Sequence, residues 1–338
     1  MEKIIINENK MNYINFKRNN NKITKEKLIN LLLLISLIIL CFFIISILFI
    51  AKCNLKLSRI LNIISKDLIN DNSLYKSKKI KNNKIVAISY SNQVYLTQLE
   101  YNRKSAIEIG KVDEFYSYGP ENIDKIFKEN NKDILSRNKG NGYWLWKSYF
   151  LLKTMKEKLN EGDYLIYTDA CNLYMDNTKI LIEFMIKEKA EILLYRLPFL
   201  EKCWTKRDAF ILMGADSPFY SDTNQFSASH QIYRKSKFTE IFLEELLYYS
   251  QDKRIITDEP NTLGFPNLEG FLENRHDQSV LSLLIKKYGL AYSGKANMNI
   301  TKLNNFDIQI PFIFCHYRRM YFKDYNDLMQ KCGLKTFK

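Results

Sequence analysis

Short apolar runs alternate with amphipathic segments along the chain from residue 85 onward. The apolar runs, each of five to seven residues, predict strands at 85–90, 113–118, 163–169 and 191–195. Between them, apolar residues recur at helical spacing and predict helices at 96–109, 121–130, 143–159 and 177–189, the last capped by Asp176. This alternation predicts one α/β domain over residues 85–338, with a mainly parallel sheet flanked by helices.

One segment departs from this pattern, because residues 28–51 form an apolar run without a charge. Its 24 residues exceed the roughly 20 that a helix needs to cross a hydrocarbon core of about 30 Å. A signal peptide would have a shorter apolar stretch and a small-residue cleavage site, whereas this run ends in Phe-Ile-Ala-Lys. A buried core helix is seldom apolar on every face over so many turns. The run therefore predicts a transmembrane helix.

The positive charge of the chain lies in its N-terminal quarter. Residues 1–84 contain 16 Lys/Arg and 5 Asp/Glu, whereas residues 85–338 contain 35 and 32, within a net charge of +14. A nucleic-acid-binding protein is expected to carry its basic surface on the folded domain, so this distribution argues against that class. Residues 1–27 are predicted to be a basic cytosolic tail, and the polar residues 52–84 a stem.

The charges beside the apolar run also predict its orientation. Within about twenty residues of the run, six Lys/Arg precede it and four follow it, which favours a cytosolic N-terminus. The chain is then a single-pass membrane protein with a lumenal or extracytoplasmic domain, in the ER or Golgi if the cell is eukaryotic. The N-glycosylation acceptor Asn299-Ile300-Thr301 agrees with a lumenal or extracytoplasmic domain.

The six cysteines are widely spaced. They lack the CxxC spacing that is typical of zinc sites, and the sequence leaves open whether any two form a disulfide.

Ligands of α/β sheets bind beyond the carboxyl ends of the strands, which directs attention to the residues there. The predicted strands end at Ser89 and Tyr90, at Tyr118, at Asp169 and before the loop that follows Tyr195. Asp169 has two interpretations. A carboxylate at this place commonly caps a turn, and it can also contact a metal ion or a ribose.

The segment at 140–147, GNGYWLWK, is the most unusual stretch of the chain. Trp146 shares a helix face with Phe150 and is predicted to be core. Trp144 lies on a different face and is a candidate for stacking on a sugar or a base. Lys147 is a candidate phosphate ligand, and the start of this helix offers free N–H groups to an anion.

Three further polar positions are candidates, and two of them have a structural alternative. Asp277 precedes an apolar helix and is either its N-cap or a catalytic carboxylate. His316 follows the apolar run at 310–314 and is either a hydrogen-bonded structural residue or a metal ligand. Arg207, beside Lys206, is a candidate anion ligand.

The order of these motifs resembles the GT-A glycosyltransferases, the nucleotide-diphospho-sugar transferase superfamily. Within it, the chain resembles a group with a GYWxWK segment, an acidic strand end and an RHDQS-like element. Here these stand at 142–147 (GYWLWK), 167–171 (YTDAC) and 275–279 (RHDQS). The resemblance spans roughly residues 85–319.

The resemblance implies a membrane-anchored, type II hexosyltransferase-like enzyme that moves a sugar from a nucleoside diphosphate to a glycan, protein or lipid. Asp277, the candidate catalytic residue, matches the acidic residue that lies near the acceptor or the sugar in such folds. The candidate donor-binding residues are then Ser89, Tyr90, Trp144, Lys147, Asp169 and Arg207. The implied cofactor is Mn²⁺ or Mg²⁺ on Asp169, with His316 resembling a late metal ligand. Cys171 replaces the second Asp of the family's Asp-x-Asp motif, and one carboxylate is a poor site for such an ion.

Two other functions are consistent with the sequence. A catalytically inactive relative that only binds a nucleotide or sugar at the membrane would explain the missing second Asp. A basic membrane-surface adaptor would use the N-terminal segment and leave the domain dispensable. Hydrolysis of nucleotide sugars with and without EDTA separates the first from an active transferase, and a chain shortened to begin at residue 85 tests the second.

Overall fold

The computed structural model describes residue 30 and residues 83–290, 313–318 and 320–334. The chain divides into two units, Met1–Ser77 and Lys78–Lys338. Apart from residue 30, the predicted membrane helix lies outside the described residues, as do the tail, nearly all of the predicted stem and the glycosylation acceptor. Within the described ranges, no helix is both long enough and apolar enough to cross a membrane.

A five-stranded mixed sheet forms the centre of the domain. Its order is β2-β1-β3-β6-β5. β1 pairs in parallel with β2 and with β3, whereas β6 runs antiparallel to both β3 and β5. A separate two-stranded sheet joins β4 and β7 in antiparallel. The strands are β1 Ile85–Tyr90, β2 Glu114–Tyr118, β3 Tyr164–Thr168, β4 Asn172–Tyr174, β5 Ile192–Leu200, β6 Asn224–Arg234 and β7 Phe314–His316.

Helices cover both faces of the sheet, which explains why β1 and β3 are buried along their whole length. The described helices are α1 Leu96–Glu108, α2 Lys125–Asn130, α3 Lys132–Leu135, α4 Leu145–Glu157, α5 Lys179–Lys187, α6 Glu201–Trp204, α7 Arg207–Leu212, α8 Pro218–Ser221, α9 Lys237–Ser250, α10 Lys253–Ile256, α11 Asp277–Lys287 and α12 Tyr325–Lys331, with short 3-10 turns at Gln93–Tyr95 and Pro120–Asn122 and a left-handed turn at Gly140–Tyr143. Apolar residues of α4, α9 and α11 form one core with the sheet, and those of α5 form a second on the other face. Such burial contributes about 1.5–3 kcal/mol for each large side chain.

The predicted α/β architecture is confirmed, with three local differences. The predicted helix at 121–130 is a 3-10 turn followed by the short α2, because Pro120 begins the turn and Ile123 is extended. Asp176 does not cap α5, because this helix starts at Lys179, after Thr178. The Oδ1 atom of Asp176 instead accepts a hydrogen bond from the backbone N–H of Asn177 at 2.7 Å. β6 was not predicted.

The C-terminal part packs beside the β3–β4 turn. Tyr325, Leu328 and Met329 of α12 form a small core with Leu173 of β4. A disulfide joins Cys315 on β7 to Cys332 after α12, while Cys171 and Cys203 are free thiols. The disulfide therefore fixes the last helix to the strand that borders the carboxyl end of β3.

Candidate active site

Three charged side chains from distant parts of the chain meet at the carboxyl end of β3. The Nζ atom of Lys147 on α4 lies 3.3 Å from Oδ1 of Asp169 and 2.5 Å from Oδ2 of Asp277. The same ammonium donates to the carbonyl oxygen of Ala228 on β6, at 3.2 Å. The side chains of Lys147 and Asp277 are 4% and 10% exposed, whereas that of Asp169 is 32% exposed. We call these three residues the charged cluster; Asp169 is its open side.

Asp169 is held by the strands on either side of it. It directly follows the buried strand β3, and its backbone N–H donates to the carbonyl of Ser229 at 3.0 Å. Its Oδ1 accepts from the hydroxyl of Tyr167 at 2.6 Å, and its Oδ2 accepts from the hydroxyl of Ser229 at 2.8 Å. The carboxylate is thus a fixed part of the sheet edge rather than a free turn cap.

Lys147 is aimed by a left-handed turn that precedes α4. All five residues from 140 to 144 have φ between 51° and 94°, including Asn141, Tyr143 and Trp144. Glycine is required at 140, because a Cβ there would lie 2.3 Å from the Trp144 ring. The indole N–H of Trp146 donates to the carbonyl of Gly140 at 2.9 Å and closes the turn. Left-handed residues other than glycine are costly, and they often occur at functional sites.

Asp277 is brought to the cluster by the start of α11. It is the first residue of that helix, and His276 precedes it as the N-cap with φ 56° and no side-chain cap bond. The structure therefore does not support the N-cap interpretation of Asp277. His276 is buried, its Nδ1 lies 2.8 Å from the carbonyl oxygen of Ile256, and its ring stacks on that of Trp144.

The two carboxylates of the cluster differ in their pKa values. Burial raises the pKa of Asp277 to about 6, and the nearby Lys147 opposes that shift only in part. Burial also acts to raise the pKa of Asp169, but the charge of Lys147 and the hydrogen bonds from Tyr167 and Ser229 outweigh it and lower the pKa. The pKa of Lys147 is raised, since two carboxylates outweigh its desolvation. One ammonium between two carboxylates leaves the cluster with a negative charge at neutral pH, and Asp277 is its weaker acid.

The residues around Asp169 do not fit the divalent cation that the resemblance implies. Both carboxylate oxygens of Asp169 accept hydrogen bonds, and Lys147 places a cation beside one of them. Cys171, at the place of the second Asp, offers a thiol, whereas Mg²⁺ and Mn²⁺ prefer carboxylate, carbonyl and water oxygens. His316 lies on β7, with Nδ1 3.3 Å from the amide oxygen of Asn172. In the described part of the chain, no three His, Cys, Asp or Glu side chains are arranged to hold a metal ion.

A cavity of about 750 Å³ opens at the carboxyl ends of β1 and β2. β1 lies between β2 and β3, and neighbouring strands are about 4.8 Å apart, so the cavity and Asp169 share one edge of the sheet. Of the candidates from the sequence, only Tyr118 lines this cavity. Its lining residues are Ser91, Asn92, Gln93, Val94, Leu96, Leu99, Ser117, Tyr118, Gly119, Pro120, Glu121 and Lys128.

The other predicted donor-binding residues point elsewhere. The hydroxyl of Ser89 is buried and donates to the carbonyl of Thr168 at 2.7 Å, joining β1 to β3. The ring of Tyr90 stacks on Trp146 at a centroid distance of 3.7 Å, and burial raises the pKa of Tyr90 to about 12. Both side chains are buried. Trp144 is half-buried and already stacked on a histidine ring.

Arg207 lies at the start of α7, in an ion pair of its own. Its Nε lies 2.9 Å from Oδ1 of Asp216, and its Nη2 donates to Oδ2 at 3.0 Å. Three of the sequence candidates, Lys147, Asp169 and Asp277, are therefore brought together, and Arg207 is not among them. The sequence did not indicate that the hydroxyls of Tyr167 and Ser229 bind the Asp169 carboxylate. No sequence pattern distinguishes these two residues from the other tyrosines and serines of the chain.

Comparison with known proteins places glycosyltransferases among the similar solved structures. They include apo WbbM, a bifunctional glycosyltransferase (9% identity, TM-score 0.36, covering 62% of this chain and 38% of that one). They also include the galactosyltransferase LgtC with donor and acceptor sugar analogues (12% identity, TM-score 0.38, covering 75% of this chain and 97% of that one). A third is apo mouse xyloside xylosyltransferase 1 (11% identity, TM-score 0.34, covering 61% of this chain and 82% of that one). The chain thus spans little more than a third of WbbM. No protein-family model and no curated protein matches the chain. All three of these structures are glycosyltransferases.

Proposed function

We propose that the domain is a glycosyltransferase that moves a sugar from a nucleoside-diphosphate donor to a hydroxyl of a glycan, protein or lipid acceptor. The observation that carries this proposal is the charged cluster beside a cavity, both at the carboxyl edge of one sheet. Parallel strands bind nucleotides at this edge. A cavity of about 750 Å³ is in the usual range for small-molecule sites and can take the nucleoside. The transferred sugar then lies toward Asp169.

Asp277 is the proposed general base. The acceptor oxygen forms a bond to the anomeric carbon of the donor sugar, the bond from that carbon to the diphosphate oxygen breaks, and its electron pair leaves on the diphosphate. Asp277 takes the proton of the acceptor hydroxyl. A base with a pKa of about 6 is ionised at neutral pH and still a stronger proton acceptor than an ordinary Asp. Lys147 orients that carboxylate, and Asp169 faces the donor.

An inactive nucleotide- or sugar-binding protein is the second candidate, favoured by Cys171 at the place of a second Asp. The buried Asp277 favours the enzyme, since a carboxylate held at high cost beside an open cleft is typical of a working acid or base. The test is release of nucleoside diphosphate from a panel of nucleotide sugars, with EDTA or with Mn²⁺. Turnover in EDTA is expected. No turnover of any donor under either condition, by protein that binds a nucleotide, would establish the inactive alternative.

The rate of transfer is expected to rise with pH through about 6 and to level off above 7. The proposed base works only when deprotonated, and burial has raised the pKa of Asp277 to about 6. The measurement is kcat/KM between pH 4.5 and 8.5 with the best donor. A rate that is level from pH 5 to 7 would contradict the assignment of this carboxylate as the base.

The domain is further proposed to lie in the lumen or outside the cell, anchored by residues 28–51 as a type II signal-anchor. The Cys315–Cys332 disulfide supports this side of the membrane, because disulfides persist in oxidising compartments. Protease added to sealed membrane vesicles with the cytosolic face outward should therefore spare the domain and trim only the N-terminal tail. Digestion of the domain in intact vesicles would reverse the orientation.

A further inference from the structure

The charged cluster lacks the positive charge that a diphosphate leaving group requires. Its single ammonium already contacts two carboxylates and a backbone carbonyl. Departure of a nucleoside diphosphate needs cationic or hydrogen-bonding groups aimed at the oxygens where charge develops. The donor set beside Asp169 does not fit a divalent cation, and Arg207 is committed to Asp216. The cation must therefore come from another part of the cleft.

Arg318 is held directly beside the end of β3. The backbone N–H of the preceding residue, Tyr317, donates to the carbonyl of Cys171 at 3.0 Å. This contact continues the β4–β7 pairing, in which His316 lies opposite Asn172. Cys171 is two residues from Asp169, so the backbone next to Arg318 lies beside the turn that follows the open side of the cluster.

From that position the Arg318 side chain extends toward the cavity. Its Nη2 donates to the hydroxyl of Tyr95 at 3.3 Å, and its Cζ lies 5.8 Å from the centre of that ring. Tyr95 ends the 3-10 turn whose first two residues, Gln93 and Val94, line the cavity. Arg318 is exposed, and within the described ranges no carboxylate is paired with its guanidinium. The guanidinium thus lies beside the turn that lines the proposed nucleoside site, on a segment whose backbone contacts the turn after Asp169, and its charge is available.

We propose that Arg318 binds the diphosphate of the donor and stabilises the charge that develops on it when the sugar leaves. The inference rests on the proposed function and names the group that serves there in place of a metal ion. A guanidinium suits this role, because its planar fork matches phosphate oxygens and it stays charged at every physiological pH. The Tyr95 ring would hold the guanidinium of Arg318 between the proposed nucleoside site and the proposed sugar site.

Calorimetric titration of the full-length protein in detergent and EDTA tests this role. The probes are UDP, GDP and ADP, each paired with its nucleoside. For the diphosphate that binds best, Arg318→Ala is expected to weaken binding by about 10–100-fold, since hydrogen bonds to charged groups are strong. Binding of the nucleoside should not change. Arg318→Lys should recover part of the affinity, because lysine keeps the positive charge. The recovery should be incomplete, since lysine lacks the planar, bidentate guanidinium.

A matched control is Arg103→Ala, which removes an exposed arginine of α1 that pairs with Glu100 at 3.5 Å. This variant should bind diphosphate as the parent does. Parental diphosphate affinity in Arg318→Ala would overturn the inference and leave the proposed function standing. Equal loss of diphosphate and nucleoside binding would also overturn it, because Arg318 would then be structural. Failure of the parent protein to bind any diphosphate would instead overturn the proposed function.

Discussion

Asp277→Asn is expected to lower the rate of sugar transfer by about 10²–10⁴-fold while the domain still folds and binds nucleotide. The amide keeps the shape of the side chain but does not accept the acceptor's proton. Lys147 retains its contacts with Asp169 and with the carbonyl of Ala228, so the cluster loses one charge without leaving the ammonium unpaired. The measurement is kcat with the best donor, together with the melting temperature and nucleoside diphosphate affinity.

A matched change separates the catalytic role from a helix-capping role. Asp324 is exposed and caps α12, where its side chain accepts from the N–H of Asp327 at 2.9 Å. Asp324→Asn keeps a good cap and should leave both stability and transfer close to the parent. Transfer at the parental rate by well-folded Asp277→Asn would remove this residue from catalysis.

Breaking the ion pair between Glu201 and Lys286 should produce the largest loss of stability. The two side chains are 0% and 1% exposed. Glu201 also accepts from the hydroxyl of Thr205 at 2.7 Å, from the amide of Gln225 at 2.8 Å and from the hydroxyl of Ser282. Either Glu201→Gln or Lys286→Met leaves the partner charge buried alone, which costs about 3–5 kcal/mol. For a domain of this size, that lowers the melting temperature by roughly 6–20 °C.

The surface pair Lys156–Glu244 is the control for this experiment. Its side chains are 46% and 44% exposed at a separation of 2.6 Å, so Glu244→Gln should cost less than about 1 kcal/mol. The double variant of Glu201 and Lys286 should be less destabilised than the sum of the single variants, since neither charge is then left alone. A melting temperature within a degree of the parent for both single variants would show that the pair contributes nothing.

This pair also bears on the site, because Lys286 and Ser282 lie on the same helix, α11, that starts at Asp277. Glu201 lies at the start of α6, immediately after the long strand β5. The pair thus fixes the helix that carries the proposed base to the edge of the central sheet. Neither partner was a candidate in the sequence, since a Glu and a Lys 85 positions apart give no local signal.

Local patterns in the sequence predicted four of the five strands of the central sheet and the position of the main chemical groups. The apolar runs at 85–90 and 163–169 predict β1 and β3 because both strands are buried on both faces. β6 escaped prediction because polar residues such as His230 and Gln231 interrupt its apolar positions. Hydrogen bonds to neighbouring residues make those side chains acceptable in a buried strand.

The sequence by itself determined an α/β domain, an apolar segment at 28–51, and a set of polar residues placed at strand and helix ends. Tertiary structure decided which of those residues meet. Lys147 and Asp277 are 130 positions apart and form an ion pair, whereas Arg207 is paired with Asp216 and Arg318 reaches toward the cavity. The physical reason is that hydrophobic periodicity acts over a few residues and fixes the elements. Charge partnership and burial, which set the pKa of Asp277, arise only when distant elements pack together.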